Sequence, residues 1–226
     1  MKLPQGMHLE HTANHVHVAF DRPYPVLSSA VLNGGFTEAR HIVNLKVDKG
    51  FSDSPNLWPP PHVTLADYCR RHRWSGAAVG MLTAASMDSL RLMRRTQQDI
   101  DIIVLLTCGL SNPRRAGDPA DQRTMTPAPH RTDTINTIVL TTATLTPAAM
   151  VEAVMIATEA KAAAMQNLGV TSPVSRAVAT GTGTDAMAVA CRPGAQAIHY
   201  CGKHVLFGEI LARLVIEGLH ASIGIQ

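Results

Sequence analysis

The sequence predicts an α/β or α+β fold, a single layered domain over residues 1–226 with a mixed central sheet packed by two long helices. Three continuous apolar runs have the length of strands and indicate interior strands covered on both faces: 77–83, 101–107 and 135–141. Two long helical patterns follow, at 146–168 and 203–220. Strands and helices do not alternate strictly, so a doubly wound parallel sheet is the weaker option.

The helix at 146–168 has the clearest boundaries in the chain. Thr146 is a natural N-cap, Pro147 suits the first helical position, and Gly169 ends the segment. Alanine and methionine fill its interior and give it high helix propensity. Because the segment is apolar nearly all round, we expect it to pack against the sheet.

The remaining elements are shorter. Strands are predicted at 15–20, 40–47, 186–190 and 197–200, a helix at 62–73, and loops at 53–61, with Trp58 at its tip, and 114–131. Residues 1–14 are expected to be loosely ordered. The segment 90–97 fits either a helix or the outer arm of a hairpin turning at 97–99, and we favour the hairpin. His15 and His17 share one face of the first predicted strand, where we favour a solvent-facing pair over a metal pair.

Composition excludes several classes of protein. Hydrophobic residues make up 46% and charged residues 16% of the 226, which allows a substantial core. A formal charge of +3 without a Lys/Arg run argues against nucleic-acid binding. The four cysteines form no Cys-x-x-Cys pair, and neither a signal peptide nor the ~20 apolar residues of a membrane span is found. We therefore expect a soluble, cytoplasmic protein; self-association into a homo-oligomer is left open.

The stretch Ala179-Thr180-Gly181-Thr182-Gly183-Thr184-Asp185-Ala186 is the most informative in the chain. Glycine lets backbone approach a ligand closely, and threonine hydroxyls and free amides can bond a polar group there. A tight strand–turn–strand connection explains the same residues without a ligand. A phosphate loop is a third interpretation, but the lysine that such loops carry is missing.

Ionisable residues supply further candidates. Lys161 lies among alanine and methionine, so it requires either a carboxylate partner in a site or a snorkelling path to water. Glu159 shares a polar stripe with other residues of the same helix. His204, at the predicted start of the last helix, is either a neutral general base or a hydrogen-bonded cap. A zinc set is the remaining alternative, although its spacing fits no regular motif: Cys191, His199, Cys201 and His204.

Eight short segments in fixed order are similar to those of the adenosylcobinamide amidohydrolases of corrinoid salvage. They are Ser28-Ser29-Ala30 with Asn33-Gly34-Gly35, Val79-Gly80-Met81-Leu82-Thr83-Ala84-Ala85, Leu110-Ser111-Asn112-Pro113-Arg114 with Ala116-Gly117-Asp118, Thr134-Ile135-Asn136, Leu145-Thr146-Pro147-Ala148-Ala149-Met150, Ala157-Thr158-Glu159-Ala160-Lys161, the threonine–glycine turn with Asp185, and Gly202-Lys203-His204. The resemblance runs from about Leu27 to the final helix. The last segment is typical of bacterial members.

The resemblance implies hydrolysis of the amide that joins aminopropanol to the corrin ring of adenosylcobinamide, giving adenosylcobyric acid. The corrinoid is then the substrate, no cofactor is expected, and assistance by a metal is left open. Amide hydrolysis requires an activated water, a stabilised oxyanion and a proton for the leaving amine. We assign these catalytic roles to Asp185, His204, Lys161 and Glu159. The residues expected to bind the substrate are Asn33, Asn112, Asn136, Thr182 and Thr184. Two rivals are a corrinoid-binding protein without hydrolytic activity and a nucleotide-dependent corrinoid kinase.

Overall fold

The computed structural model describes residues 3–48, 59–121, 125 and 134–224. Most of the predicted loop at 53–61, including Trp58, and much of the predicted loop at 114–131 lie outside these residues. None of the described helices is both long enough and apolar enough to cross a membrane.

Secondary structure in the described residues comprises strands and three α-helices. The strands are β1 Met7–His11, β2 His15–Ser28, β3 Gly35–Lys46, β4 Ala78–Thr83, β5 Arg91–Gln97, β6 Ile100–Cys108, β7 Pro113–Arg114, β8 Ile135–Thr141, β9 Thr144–Leu145, β10 Gly181–Thr182, β11 Ala186–Cys191 and β12 Ala197–Ile198. The α-helices are α1 Pro61–Arg71, α2 Pro147–Asn167 and α3 Leu206–Ile223.

One large mixed sheet dominates the fold, with strand order β4-β3-β2-β11-β8-β6-β5 and β1 paired to β2. The pairs β3–β4 and β8–β11 are parallel, whereas β2–β3, β2–β11, β6–β8 and β5–β6 are antiparallel. The two-residue strands form separate small pairs, β7 with β10 and β9 with β12. The predicted fold, a mixed α+β domain around a central sheet, is confirmed.

The sheet bends back on itself and forms a sandwich. Asn44 of β3 donates a 2.8 Å hydrogen bond to Thr107 of β6, although three strands separate β3 from β6 in the sheet order. In a flat sheet these strands would lie ~19 Å apart, four interstrand spacings. The bend occurs in β2, whose register with β3 is irregular between Ala19 and Tyr24. A buried apolar cluster therefore fills the space between two facing layers.

Helices cover both outer faces of this sandwich. The α2 and α3 helices pack on the outer face of strands β11, β8 and β6, and the largest apolar cluster lies between these helices and strands. The α1 helix packs on β3 and β4 through Leu65 and Cys69. Thr146 caps α2, because its hydroxyl accepts a hydrogen bond from the backbone N–H of Ala149 at 3.1 Å. Gly169, just past the helix, has φ +65°. The predicted boundaries of α2 are confirmed within one residue.

Most predicted strands are also confirmed. The three apolar runs are β4, β6 and β8, and nearly all of their residues are buried. The segment 90–97 is the outer arm of a hairpin, as favoured, since β5 pairs with β6. Gln98 and Asp99 form its turn with φ values of 51° and 59°, the positive pair that a type I′ turn requires.

Three expectations about the chain ends and the first strand are wrong. Met7–His11 forms β1 against β2, so 1–14 is not loosely ordered along this part. His15 and His17 are buried rather than solvent-facing, because Trp74 stacks on His17 at 3.7 Å between ring centroids. The last helix begins at Leu206 rather than at 203, with Val205 as N-cap.

Candidate functional site

The threonine–glycine turn connects β10 to β11 and is organised by one carboxylate. The Oδ2 atom of Asp185 accepts the backbone N–H of Thr182 at 3.0 Å, and its Oδ1 atom accepts the backbone N–H of Ile135 at 3.0 Å. The hydroxyl of Thr182 also donates to Oδ1. Asp185 thus joins its own turn to the first residue of β8.

Lys161 reaches this turn from the middle of α2. Its ammonium group donates to Oδ2 of Asp185, and the two side chains are only 12% and 13% exposed. The partner that the apolar surroundings of Lys161 require is therefore Asp185. Gly181 is needed beside the pair, because a Cβ atom there would lie 2.2 Å from Oδ2 of Asp185 and 2.9 Å from Nζ of Lys161.

The four hydrogen bonds to Asp185 bear on its chemistry. An ionised carboxylate has about four lone-pair positions, and the donors are Lys161, the N–H and hydroxyl of Thr182, and the N–H of Ile135. No lone pair is left over to take a proton from water. The geometry favours Asp185 as a group that holds the turn and Lys161 in place.

The segment Leu110–Arg114 borders the turn on its other side. The carbonyl of Asn112 accepts the N–H of Gly183 at 3.3 Å, and β7 pairs with β10. A Cβ atom on Gly183 would lie 2.8 Å from Nδ2 of Asn112, so this side chain lies against the turn. The structure thus brings Asn112 and Thr182 together with Lys161 and Asp185, and Thr184 directly precedes Asp185 in the same turn.

A cavity of about 580 Å³ opens at the same end of the sandwich. Its walls are the ends of β3, β4 and β6 and the residues that follow them: 46–48, 84–86, Ser89 and 108–111. Leu110 and Ser111 line it directly before Asn112 contacts the turn. The volume lies within the range of small-molecule sites. One short segment therefore separates the cavity from the Lys161–Asp185 pair.

Glu159 and His204, predicted to share this site, lie elsewhere. Glu159 pairs with Lys203, and both side chains are more than half exposed. His204 is exposed beside Tyr200, with 6.0 Å between ring centroids. Two helical residues separated by two positions point about 200° apart, so Lys161 and Glu159 cannot face one pocket. Because His204 precedes α3, the argument from the helix dipole does not apply to it either.

Two of the three predicted substrate-binding asparagines have structural partners. Asn33 has φ 52° in the turn before β3, and its Nδ2 donates to the carbonyl of Ala78 at 2.8 Å. Asn136 is 1% exposed and donates to Asn44 and to the carbonyl of Leu82, at 2.7 and 2.8 Å. Asn136 therefore lies inside the sandwich and not on a rim that a corrin ring can touch.

The zinc alternative does not fit the arrangement of its four members. Cys191 and Cys201 are buried, whereas His199 and His204 are exposed. Burial raises the pKa of the Cys191 thiol and, together with the charge of Glu152, raises the pKa of Cys201 to about 12. Within the described part of the chain, no group of three or more His, Cys, Asp or Glu side chains can hold a metal ion.

Sequence reasoning missed three polar residues in or near the cavity wall. Lys46 and Ser89 line the cavity, and Asn44 lies two residues before Lys46 on β3; none of the three belongs to the eight segments or fits a catalytic motif. The only available signal was Asn44, an amide in the middle of the apolar run Ile42-Val43-Asn44-Leu45. A buried amide needs hydrogen-bond partners, and this alone marks it for attention.

Comparison with known proteins identifies the family. The family model described as adenosylcobinamide amidohydrolase matches residues 1–226. The chain belongs to this family. It is 28% identical over 207 residues to the adenosylcobinamide amidohydrolase of Methanosarcina mazei, covering 88% of this chain and 90% of the relative. It is 30% identical over 193 residues to that of Halobacterium salinarum, covering 84% and 77%. Family membership makes the protein a hydrolase that acts on an amide.

Solved structures show more distant likenesses. A Burkholderia beta-aminopeptidase is 13% identical with a TM-score of 0.48, covering 96% of this chain and 83% of its own. The L-aminopeptidase D-Ala-esterase/amidase of Ochrobactrum anthropi is 9% identical with a TM-score of 0.41, covering 96% and 81%. At these scores and identities neither likeness extends to function.

Proposed function

We propose that this protein hydrolyses the amide that joins aminopropanol to a propionyl side chain of the corrin ring in adenosylcobinamide. The products are adenosylcobyric acid and free aminopropanol, and the acid returns to coenzyme B12 synthesis. The observation that carries the proposal is the largely buried Lys161–Asp185 pair, which lies one short segment away from a cavity of about 580 Å³. Family membership supports the reaction class.

The reaction needs a cation where negative charge develops. Water adds to the amide carbonyl, the oxygen of the tetrahedral intermediate carries the charge, and the C–N bond breaks as the amine takes up a proton. Lys161 has three N–H donors, and Asp185 is its one hydrogen-bond partner among the residues that the structure describes. We assign Lys161 to the oxyanion and Asp185 to the positioning of Lys161.

The test is incubation with adenosylcobinamide, followed by chromatography for adenosylcobyric acid and aminopropanol. Lys161→Met should lower turnover by about 10²–10³, the usual cost of removing one oxyanion donor. Lys203→Met is the matched control, since Lys203 also pairs with a carboxylate but is 72% exposed. It should leave turnover unchanged.

Each outcome decides between proposals. Equal losses in the two variants would remove Lys161 from the oxyanion role. Tight binding of adenosylcobinamide by the wild-type protein without any product would instead support the corrinoid-binding alternative. Product formed only with a nucleoside triphosphate present would support the kinase.

A further inference from the structure

A chain of hydrogen bonds between buried side chains crosses the sandwich near the strand ends that line the cavity. Asn136 of β8 donates to Oδ1 of Asn44 on β3 at 2.7 Å and to the carbonyl of Leu82 on β4 at 2.8 Å. Asn44 donates in turn to the hydroxyl of Thr107 on β6 at 2.8 Å. The three side chains are 1–2% exposed. We call Asn44, Thr107 and Asn136 the amide bridge.

The amide bridge lies directly behind the walls of the cavity. On β3 and β4, Asn44 and Leu82 come two residues before the lining residues Lys46 and Ala84. On β6, Thr107 comes one residue before the lining residue Cys108. The residues that line the cavity therefore follow directly on strands that the amide bridge joins across the sandwich, β3 and β4 on one side and β6 on the other. Because the bridge holds these strands together, it fixes the distance between the cavity walls.

The amide bridge also adjoins the Lys161–Asp185 pair. Ile135, whose N–H binds Asp185, is the neighbour of Asn136 on β8, and Asn136 pairs in register with Ala186. A displacement of Asn136 would thus be passed to Asp185 through one peptide. Buried polar groups fully bonded in this way hold one arrangement rigidly.

We propose that Asn44 and Asn136 are positioning residues that set the width of the cavity and so determine which corrinoids fit it. This inference rests on the proposed function for the identity of the substrate. Neither residue touches the reacting amide; both act through the strand ends that form the cavity walls. Loss of the bridge should weaken substrate binding more than it slows the chemical step.

The first test is the kinetics of Asn44→Leu with adenosylcobinamide. We expect KM to rise about tenfold, equivalent to about 1.4 kcal/mol of binding free energy, with kcat changed much less. Because Asn44→Leu takes the donor from Thr107 and one acceptor from Asn136 and so lowers stability, the double variant Asn44→Leu/Thr107→Val is measured beside it. Replacing Thr107 as well should recover part of the stability, since only one N–H of the Asn136 amide is then left without a partner, while KM stays raised.

A control variant separates cavity width from general stability. Thr141 is fully buried at the far end of β8, and its hydroxyl accepts the N–H of Ala143 at 3.1 Å. Thr141→Val should lower stability to a similar degree and leave KM unchanged. If KM rises equally in this variant, or returns to the wild-type value in the double variant, the amide bridge is merely structural and the inference fails.

A second readout needs no substrate. Cys108 lines the cavity, so iodoacetamide should label it several-fold faster in the double variant than in wild type, as followed by peptide mass spectrometry. Cys191, buried beneath α2, should label at an unchanged slow rate. Unchanged labelling of Cys108 would overturn the inference even if the protein hydrolyses adenosylcobinamide. Faster labelling in a protein without hydrolytic activity would uphold the bridge and refute the proposed function.

Discussion

Asp185→Asn is the substitution that tests the organisation of the site most directly. Oδ2 accepts Lys161 and the N–H of Thr182, whereas Oδ1 accepts the N–H of Ile135 and the hydroxyl of Thr182. The new amide nitrogen cannot face the ammonium group, so it replaces Oδ1. There the hydroxyl of Thr182 can rotate and accept, but the N–H of Ile135 loses its acceptor.

The loss of stability expected for Asp185→Asn has two sources, an unsatisfied N–H group and an unpaired ammonium group. An orphaned buried donor costs roughly 1–3 kcal/mol. Removing the charge also leaves Lys161 without a counter-ion at 12% exposure, and breaking a buried pair from one side costs about 3–5 kcal/mol in total. We expect a loss of about 3 kcal/mol in the free energy of unfolding, since the pair retains some exposure. Turnover should fall by about 10², because the ammonium group is no longer held in position.

Urea denaturation followed by circular dichroism measures the free energy of unfolding, and product chromatography measures turnover. A loss of 3 kcal/mol moves the urea midpoint by about 1 M for a protein of this size. Asp67→Asn is the control, because Asp67 forms an exposed ion pair with Arg70 whose contribution should not exceed about 1 kcal/mol. If Asp185→Asn and Asp67→Asn have equal midpoints and full activity, Asp185 does not organise the site.

Three further substitutions test other parts of the structure. Gly181→Ala places a Cβ atom 2.2 Å from Asp185, so it should lower stability by roughly 1–3 kcal/mol and reduce turnover; a neutral result in urea denaturation would contradict the close approach. His204→Ala should leave turnover nearly unchanged, because His204 is exposed and follows Lys203, which pairs with Glu159; a loss of about 10² or more in the product assay would restore it as general base. Burial lowers the pKa of His17 from 6.5 to about 4, so the unfolded chain binds this proton more tightly between those values. The contribution of His17 to the free energy of unfolding should therefore be level above pH ~7 and fall by roughly 2–3 kcal/mol between pH 6.5 and 4. The stability of His17→Phe should accordingly depend less steeply on pH than that of the wild type in urea titrations at each pH.

Local chemistry made several elements predictable. Thr146, Pro147 and Gly169 occupy the positions where caps, first-turn prolines and helix ends recur, so α2 could be placed within one residue. The pairing of Lys161 was one of two alternatives open from the sequence, since an ammonium group among alanine and methionine requires either a partner or a path to water. Asp185 supplied it. Such arguments work where a few neighbouring residues determine the energy.

Other predictions failed because the neighbouring residues carry no signal of the observed structure. The start of α3 carries no side-chain cap, because Val205 occupies the N-cap position, so nothing in the sequence separates His204 from the helix. The alternation around His15 and His17 shows that they share a face but not that Trp74 covers it. Trp74 lies far along the chain, and its stacking on His17 depends on how α1 and β4 are placed.

The bend in β2 explains why Asn136, predicted to bind the substrate, lies inside the sandwich. In an open sheet, an amide at the start of β8 would face solvent or a ligand, as the resemblance to the family suggested. Because the sheet folds over, the same amide meets Asn44 and the carbonyl of Leu82 from the opposite layer. The segment Thr134-Ile135-Asn136 then has two structural tasks on consecutive residues: Ile135 binds Asp185, and Asn136 joins the two layers. We therefore expect the segment Thr134-Ile135-Asn136 to act on the proposed reaction through the cavity walls and the Lys161–Asp185 pair, and not through contact with the substrate.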